Sequence, residues 1–244
     1  MQPCEPTTTR NLSECFSEKV HAILDRIAET QTAPLRNAAA LMAQAIGKGR
    51  LIYAFGSGHS QSVAIEFYYR AGGLATCDVI HEKTFGRAER LPGYACLLLD
   101  TYPVSAGDVI IIISNSGRNP LPVEMAESAK QRGMGVIGIT SLEYSRSVTS
   151  RAPCGKRLFE ICDVVIDNCC PPGDALIDLG DGIRVGGAST LAGAFISQTL
   201  VCLTSGKLQQ DGIRPPVFLS MNMDEGDKRN QAVLESFRAR VRGL

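Results

Sequence analysis

The sequence predicts an α/β fold, a doubly wound parallel sheet with helices on both faces. Three observations lead there. From residue 50 onward, short apolar runs alternate with stretches of helical periodicity, the pattern of strand, crossover helix and next strand. Val109 to Ile113 is an unbroken run of β-branched residues, which suits a strand buried on both faces and hence inside a parallel sheet. Two of the apolar runs end directly in loops of glycine and hydroxyl residues, Gly56-Ser57-Gly58-His59-Ser60 and Ser114-Asn115-Ser116-Gly117.

The elements follow in order. Leu12, Phe16, Val20, Ile23, Leu24 and Ile27 recur at three- and four-residue intervals, the period of an amphipathic helix. A second helix is read from Pro34, a good first-turn residue, to Ile46, where Gly47 and Gly49 stop it. Residues 1–49 thus form an N-terminal helical arm that packs on the main domain or on a dimer partner, because its apolar face needs a cover. Leu51 to Phe55 is the first strand, and a helix after Ser60 runs to Ala71 and a Gly-Gly stop. Thr76 to His81 is the second strand, and Cys96 to Leu99 is read as a further one. After Val109 to Ile113, Asn119 is placed as N-cap and Pro120 as the first residue of a helix reaching Gln131. Val136 to Thr140 and Val164 to Ile166 supply the next strands. Pro171 to Gly187, rich in Gly, Pro and Asp, reads as a loop. Ala188-Ser189-Thr190 opens a long apolar helix ending near Ser205-Gly206, which closes a domain of residues 50–206. The extension 207–244 carries a last helix, Gln231 to Val241, behind Asp224-Glu225-Gly226-Asp227.

Composition excludes several classes. Hydrophobic residues are 44% of the 244 and charged ones 20%, the balance of an ordinary globular chain. Basic and acidic residues both number 25, so no net field draws in nucleic acid or an anionic membrane. No apolar run is read as long enough to span a bilayer, and the polar stretch Met1 to Arg10 is no signal peptide. A cytoplasmic protein is expected. Nine cysteines invite a metal or disulfide reading, but there is no C-x-x-C, and Cys162, Cys169 and Cys170 have no histidine nearby. They are read as buried thiols, with no metal and no cofactor.

The chemistry is expected beyond the carboxyl ends of the strands, where open α/β sheets bind ligands. Ser57, Gly58, His59 and Ser60 offer backbone N–H groups and hydroxyls at a helix N-terminus, and Ser114, Asn115, Ser116 and Asn119 do the same at the next one. A dianionic phosphate carries only acceptors, so such a cup of neutral donors suits it. Each loop alone is equally well explained as N-cap and turn chemistry; two of them at strand ends of one sheet favour a ligand. The P-loop pattern is absent, Gln61 stands where a dinucleotide fingerprint needs its third glycine, and neither loop fits a serine-hydrolase elbow.

These segments, Phe55 to Ser60, the Ile-rich strand into Ser114 to Gly117, and Gly138-Ile139-Thr140-Ser141, resemble the sugar isomerase (SIS) domain over about Arg50 to Gly206. The whole chain, including Ser114 to Pro120 and Thr140 to Pro153, is similar to stand-alone SIS proteins related to phosphoheptose isomerase and N-acetylmuramic acid 6-phosphate etherase. The resemblance implies a three-layer α-β-α sandwich with a five-stranded parallel sheet in flavodoxin-like order. It also implies a homodimer or higher homo-oligomer with composite sites and a phosphorylated sugar as ligand. It makes the two loops phosphate loops and brings Ser189 and Thr190 to the sugar, although a plain N-cap explains Ser189 as well.

For the acid–base work of an aldose–ketose isomerisation through an enediol, the residues offer Glu66, Glu82 and His81. Glu66 lies on the polar stripe of Ser62, Glu66 and Arg70, and an i,i+4 pair with Arg70 is its plainer account. His81 and Glu82 close the second strand on the ligand side, and an exposed loop pair is the plainer account there. An etherase, or a phosphosugar sensor without turnover, stays open. The helix Leu191 to Ser205 lacks the histidine of phosphoheptose isomerases, and the helices before Arg50 lack a basic DNA-reading face.

Overall fold

The computed structural model describes residues 9–223 and 226–242. Part of the Met1 to Arg10 stretch and the pair Asp224-Glu225 therefore lie outside the described residues.

Five strands, β1 (Ile52–Gly56), β2 (Cys77–Ile80), β3 (Val109–Ile113), β4 (Gly135–Thr140) and β5 (Val164–Asp167), form one parallel sheet in the order β2-β1-β3-β4-β5. The register is continuous across it: Ile52 of β1 stands opposite Cys77 on one side and Val109 on the other. Because side chains alternate along a strand, β3 divides its isoleucines between two cores. Ile111 and Ile113 join Leu35, Met42, Ile196 and Leu200 on one face. Ile110 and Ile112 join Leu99, Leu121, Met125 and Ala129 on the other. The result is the expected three-layer sandwich.

One face is covered by α1 (Thr9–Thr30), α2 (Thr32–Gly47), α3 (Gln61–Ile65) and α7 (Ser189–Gln210), the other by α4 (Tyr94–Asp100) and α5 (Pro120–Gln131). Two further helices, α6 (Leu142–Ser147) and α8 (Gly226–Phe237), complete the set. Helix α6 carries no strong apolar period, and only Ser145 of it is buried, so the sequence does not announce it. At its start Ser141 Oγ accepts from the Tyr144 N–H at 3.2 Å, an ordinary N-cap.

Several expectations need correction. Cys96 to Leu99 is not a strand but the middle of α4: Ala95, Leu98 and Leu99 are buried while Leu97 is 67% exposed, a helical spacing that a four-residue apolar run conceals. The helix after Ser60 is only α3; Glu66, Phe67 and Tyr68 close i→i−3 turns at 2.9–3.2 Å, and Tyr69 at φ +36° ends the run. Pro171 to Gly187 holds an antiparallel hairpin, β6 (Ala175–Asp178) with β7 (Arg184–Gly187); its glycines masked the buried Leu176 and Ile177. Helix α7 runs past Gly206 to Gln210, because Leu208 is buried in the same core, and α8 begins earlier and ends earlier than read. By length and composition α7 could cross a bilayer, contrary to the sequence reading, yet 44% of it is buried inside the protein as a core helix. Finally, Cys96, Cys154 and Cys202 are exposed, not buried. Cys15, Cys77, Cys169 and Cys170 do fit the buried-thiol reading, burial pushing the pKa values of Cys77 and Cys170 up to about 12, and Cys162 is partly buried.

Helices α3 and α7 meet at Gly193, where an added Cβ would stand 2.5 Å from Val63 Cγ2. Neither partner has room to move, since Val63 is 2% exposed. Gly193→Ala should therefore cost about 1–3 kcal/mol and lower Tm by several degrees in calorimetry. An unchanged Tm would mean the contact relaxes freely.

Candidate functional site

The strand order reverses between β1 and β3, and the two hydroxyl loops leave the carboxyl ends of those two strands. They therefore flank the crevice where doubly wound sheets bind ligands.

The first loop is tightly wound. An added Cβ at Gly56 would stand 2.4 Å from the Ser60 carbonyl oxygen, so only glycine fits, and Gly58 has φ +56°. Ser57 is 8% exposed, yet its hydroxyl has no hydrogen-bond partner, an uncommon state for a buried polar group. His59 Nδ1 lies 3.2 Å from Thr190 Oγ1, which ties this loop to the start of α7 and joins two predicted site residues. Ser189 is committed elsewhere. Its N–H and hydroxyl both donate to the Asp174 carboxylate, at 2.7 and 2.8 Å, and Ala188 N–H adds a third bond at 3.1 Å. Asp174 thus caps α7, a role hidden from sequence inside a Gly/Pro/Asp-rich stretch.

In the second loop, the buried Ser114 accepts from the Gly117 N–H at 3.3 Å, which leaves its hydroxyl proton free to donate. Asn115 faces away: its Oδ1 accepts from Asn168 Nδ2 at 2.8 Å, and its carbonyl accepts from the Ser141 N–H at 3.0 Å. Ser116 is half-exposed. Asn119 is the N-cap in position only; it makes no side-chain cap bond, and its Oδ1 accepts from Arg151 at 3.1 Å.

The expectation that both helix N-termini supply anion donors needs revision. Helix α3 has only five residues, so its dipole is slight. At α5, Pro120 and Pro122 have no N–H, and the Leu121 N–H already donates to the Glu89 carbonyl at 3.1 Å. What remains, among the described residues, are the backbone N–H groups of Gly58, His59, Asn115 and Ser116, which make no internal hydrogen bond, together with the serine hydroxyls. Cations also stand closer than the sequence reading assumed. Arg118 holds the Thr149 carbonyl at 2.9 Å, and Arg151 reaches Asn119 from 32 residues away.

The acid–base candidates separate. Glu66 is ion-paired with Arg70 and accepts from Gln198 Nε2 of α7 at 3.1 Å, with its side chain 31% exposed. His81 is exposed, and its backbone N–H donates to the Tyr102 hydroxyl at 2.8 Å. Glu82 is 1% exposed, and both its oxygens accept backbone bonds at 2.6 Å, from Thr84 and Gly86. Burial works to raise its pKa, but the hydrogen bonds from Thr84 and Gly86 outweigh it and hold the carboxyl below its ordinary value.

That shift has a sign. A folded pKa below the unfolded one, about 4.3, gives stabilisation that is complete above the unfolded value and lost as pH falls through the folded one. The Gly86 amide resonance should therefore titrate with a midpoint below about 4.3. A midpoint above it would contradict the assignment of these bonds.

No group of three or more His, Cys, Asp or Glu among the described residues is placed to hold a metal ion. A five-stranded parallel sheet in this order, with hydroxyl loops on both sides of its switch point, defines a flavodoxin-like α/β domain. The SIS domain model matches residues 15–141, and the chain belongs to that family. A UPF0309 protein of Shouchella clausii is 38% identical over 239 residues, spanning 93% of this chain and 97% of that protein. Among solved structures, a phosphoheptose isomerase from Francisella tularensis superposes with TM-score 0.59 at 13% identity, over 82% of this chain and 100% of that one. The Vibrio vulnificus NanR protein complexed with ManNAc-6P superposes with TM-score 0.53 at 12% identity, over 95% of this chain and 70% of that one. At such identities the two structures report a shared fold.

Proposed function

We propose that the crevice between the two loops binds the phosphate of a phosphorylated sugar, and that the chain interconverts aldose and ketose forms through an enediol. One observation carries this reading: the two loops that flank the switch point of the sheet hold N–H groups without internal hydrogen bonds, at Gly58, His59, Asn115 and Ser116, and the unpartnered buried hydroxyl of Ser57. The SIS family membership and the sugar-phosphate proteins of the same fold support the choice of ligand.

In this reading Ser57 to Ser60 and Ser114 to Ser116 hold the phosphate, with Asn119 and Arg151 at its edge. Thr190, joined to His59, faces the sugar. Glu66 is the base that moves the proton between the two carbons, since its carboxylate alone of the two candidates keeps partial access to solvent, and His81 is the exposed group able to serve oxygen protons. An etherase would use the same binding plan, the base removing the proton next to the carbonyl and the lactyl ether breaking at its sugar carbon–oxygen bond to release lactate.

A second reading, a phosphosugar sensor without turnover, draws on the fold shared with NanR. A panel of phosphosugars screened by thermal shift, then by NMR in deuterated water, separates the two. An enzyme incorporates deuterium beside the carbonyl; a sensor binds and never exchanges. The exposed Ile65, Phe85 and Leu191 near the first loop further suit a second copy of the chain, which light scattering at micromolar concentration would detect as a homodimer.

A further inference from the structure

The segment after β2, residues 82–93, runs as a strap from the first loop to α5. At one end Gly86 sits directly on Gly58: an added Cβ at Gly86 would stand 3.1 Å from Gly58 Cα and 3.4 Å from its nitrogen. A second tie runs from Gln61 Nε2, just behind the first loop, to the Glu82 carbonyl at 2.6 Å. At the other end the Glu89 carbonyl takes the Leu121 N–H at 3.1 Å, and the Gly93 N–H donates to the Glu124 carboxylate at 2.7 Å. The strap therefore spans the switch point and touches the elements on both sides of it.

Its shape is not one the chain adopts freely. Phe85 has φ +52° and Gly86 φ +84°, two left-handed residues in succession, and a side chain at such a φ is disfavoured. Within its own chain Phe85 gains little from packing in return, since it is 81% exposed there. What holds the turn is Glu82. Its carboxylate, shut away from solvent, receives the N–H groups on either side of Phe85, those of Thr84 and Gly86. Charge-assisted bonds of this kind are about twice as strong as neutral ones.

We infer that Glu82 is a positioning residue: through the turn Thr84-Phe85-Gly86 it seats the strap on Gly58 and so fixes the first loop in its binding shape. This rests on the reading of that loop as a phosphate site, and it gives Glu82 a role other than the proton-transferring base. Its carboxylate oxygens already carry backbone bonds, and its burial leaves no face for a reacting carbon.

Two full-length variants test it by different routes. Glu82→Gln keeps the side-chain volume but turns an NH2 group toward one of the two backbone N–H groups. Gly86→Ala keeps Glu82 and instead forces a side chain between strap and loop. The first readout is amide hydrogen exchange by mass spectrometry, with the β3 segment 109–113 as internal control. In both variants exchange at Ser60 and Gln61, whose N–H groups donate to the Ser57 and Gly58 carbonyls, should accelerate by about tenfold, the loss of roughly one hydrogen bond, while the control does not change. The second readout is affinity for inorganic phosphate and for fructose 6-phosphate by calorimetry, with deuterium incorporation at saturating sugar. Affinity should fall by a similar factor, and the saturated exchange rate should persist.

Unchanged exchange at Ser60 and Gln61 in Glu82→Gln would overturn the proposal. So would full affinity with abolished deuterium incorporation, which is the signature of a base. If the unmodified protein binds neither probe, the phosphate-site reading fails, and hydrogen exchange still decides by itself whether Glu82 seats the loop.

Discussion

Glu66→Gln is expected to lower the rate of deuterium incorporation into a bound phosphosugar by about 10²- to 10⁴-fold, the usual contribution of a positioned general base. The substitution is close to isosteric, and the amide oxygen can still accept from Arg70 or Gln198. Only the ion pair with Arg70 is lost, and such i,i+4 pairs contribute about 0.2–0.5 kcal/mol, so Tm should shift by little more than a degree. Affinity for phosphate should also survive, because Glu66 lies behind the loop that carries Gly58 and His59 and is no part of the cup. A variant that keeps full exchange would move the base elsewhere, with His81 next in line.

The second large effect concerns the cup itself. Replacing Ser114 and Ser116 together by Ala removes two hydroxyl donors, each worth about 1.5–3 kcal/mol to a charged acceptor. Phosphosugar affinity should therefore drop by about 10²- to 10⁴-fold, with the unphosphorylated sugar little affected. The double variant should fold, since Ser116 is half-exposed and Ser114 gives up only the bond from the Gly117 N–H. Equal losses for both ligands would assign the loop to the sugar rather than to its phosphate.

The placement of the two loops of this candidate site was legible in the sequence, for a simple reason. A β-branched run stopping at Ser-Asn-Ser-Gly, and another stopping at Gly-Ser-Gly-His-Ser, announce strand ends with donor-rich turns, and strand ends in a doubly wound sheet share one edge. The absence of free donors at α5 was legible too, in the two prolines of Asn119-Pro120-Leu121-Pro122, but a proline after an N-cap reads first as a helix start. Other features had no local signal. Arg151 meets Asn119, and Asn168 meets Asn115, only because the β4 and β5 connections fold back over the second loop. Asp174 looked like turn composition until α7 was placed behind it. Glu82 reads as an acid–base candidate closing a strand on the ligand side, or more plainly as half of an exposed loop pair with His81. Its burial follows from the left-handed turn at Phe85 and Gly86, and nothing in the order Glu-Lys-Thr-Phe-Gly foretells that the carboxylate turns back to hold it.

The most direct test of the central claim is a calorimetric comparison on the unmodified protein of one sugar with and without its phosphate, fructose 6-phosphate against fructose, extended to amino-sugar phosphates if the first pair is silent. A crevice built from free amides and serine hydroxyls predicts binding of the phosphorylated member at least about 100-fold tighter than the other, since its charged oxygens are what those donors match. Equal affinity for the two members, or no binding of any phosphosugar in the panel, would contradict it.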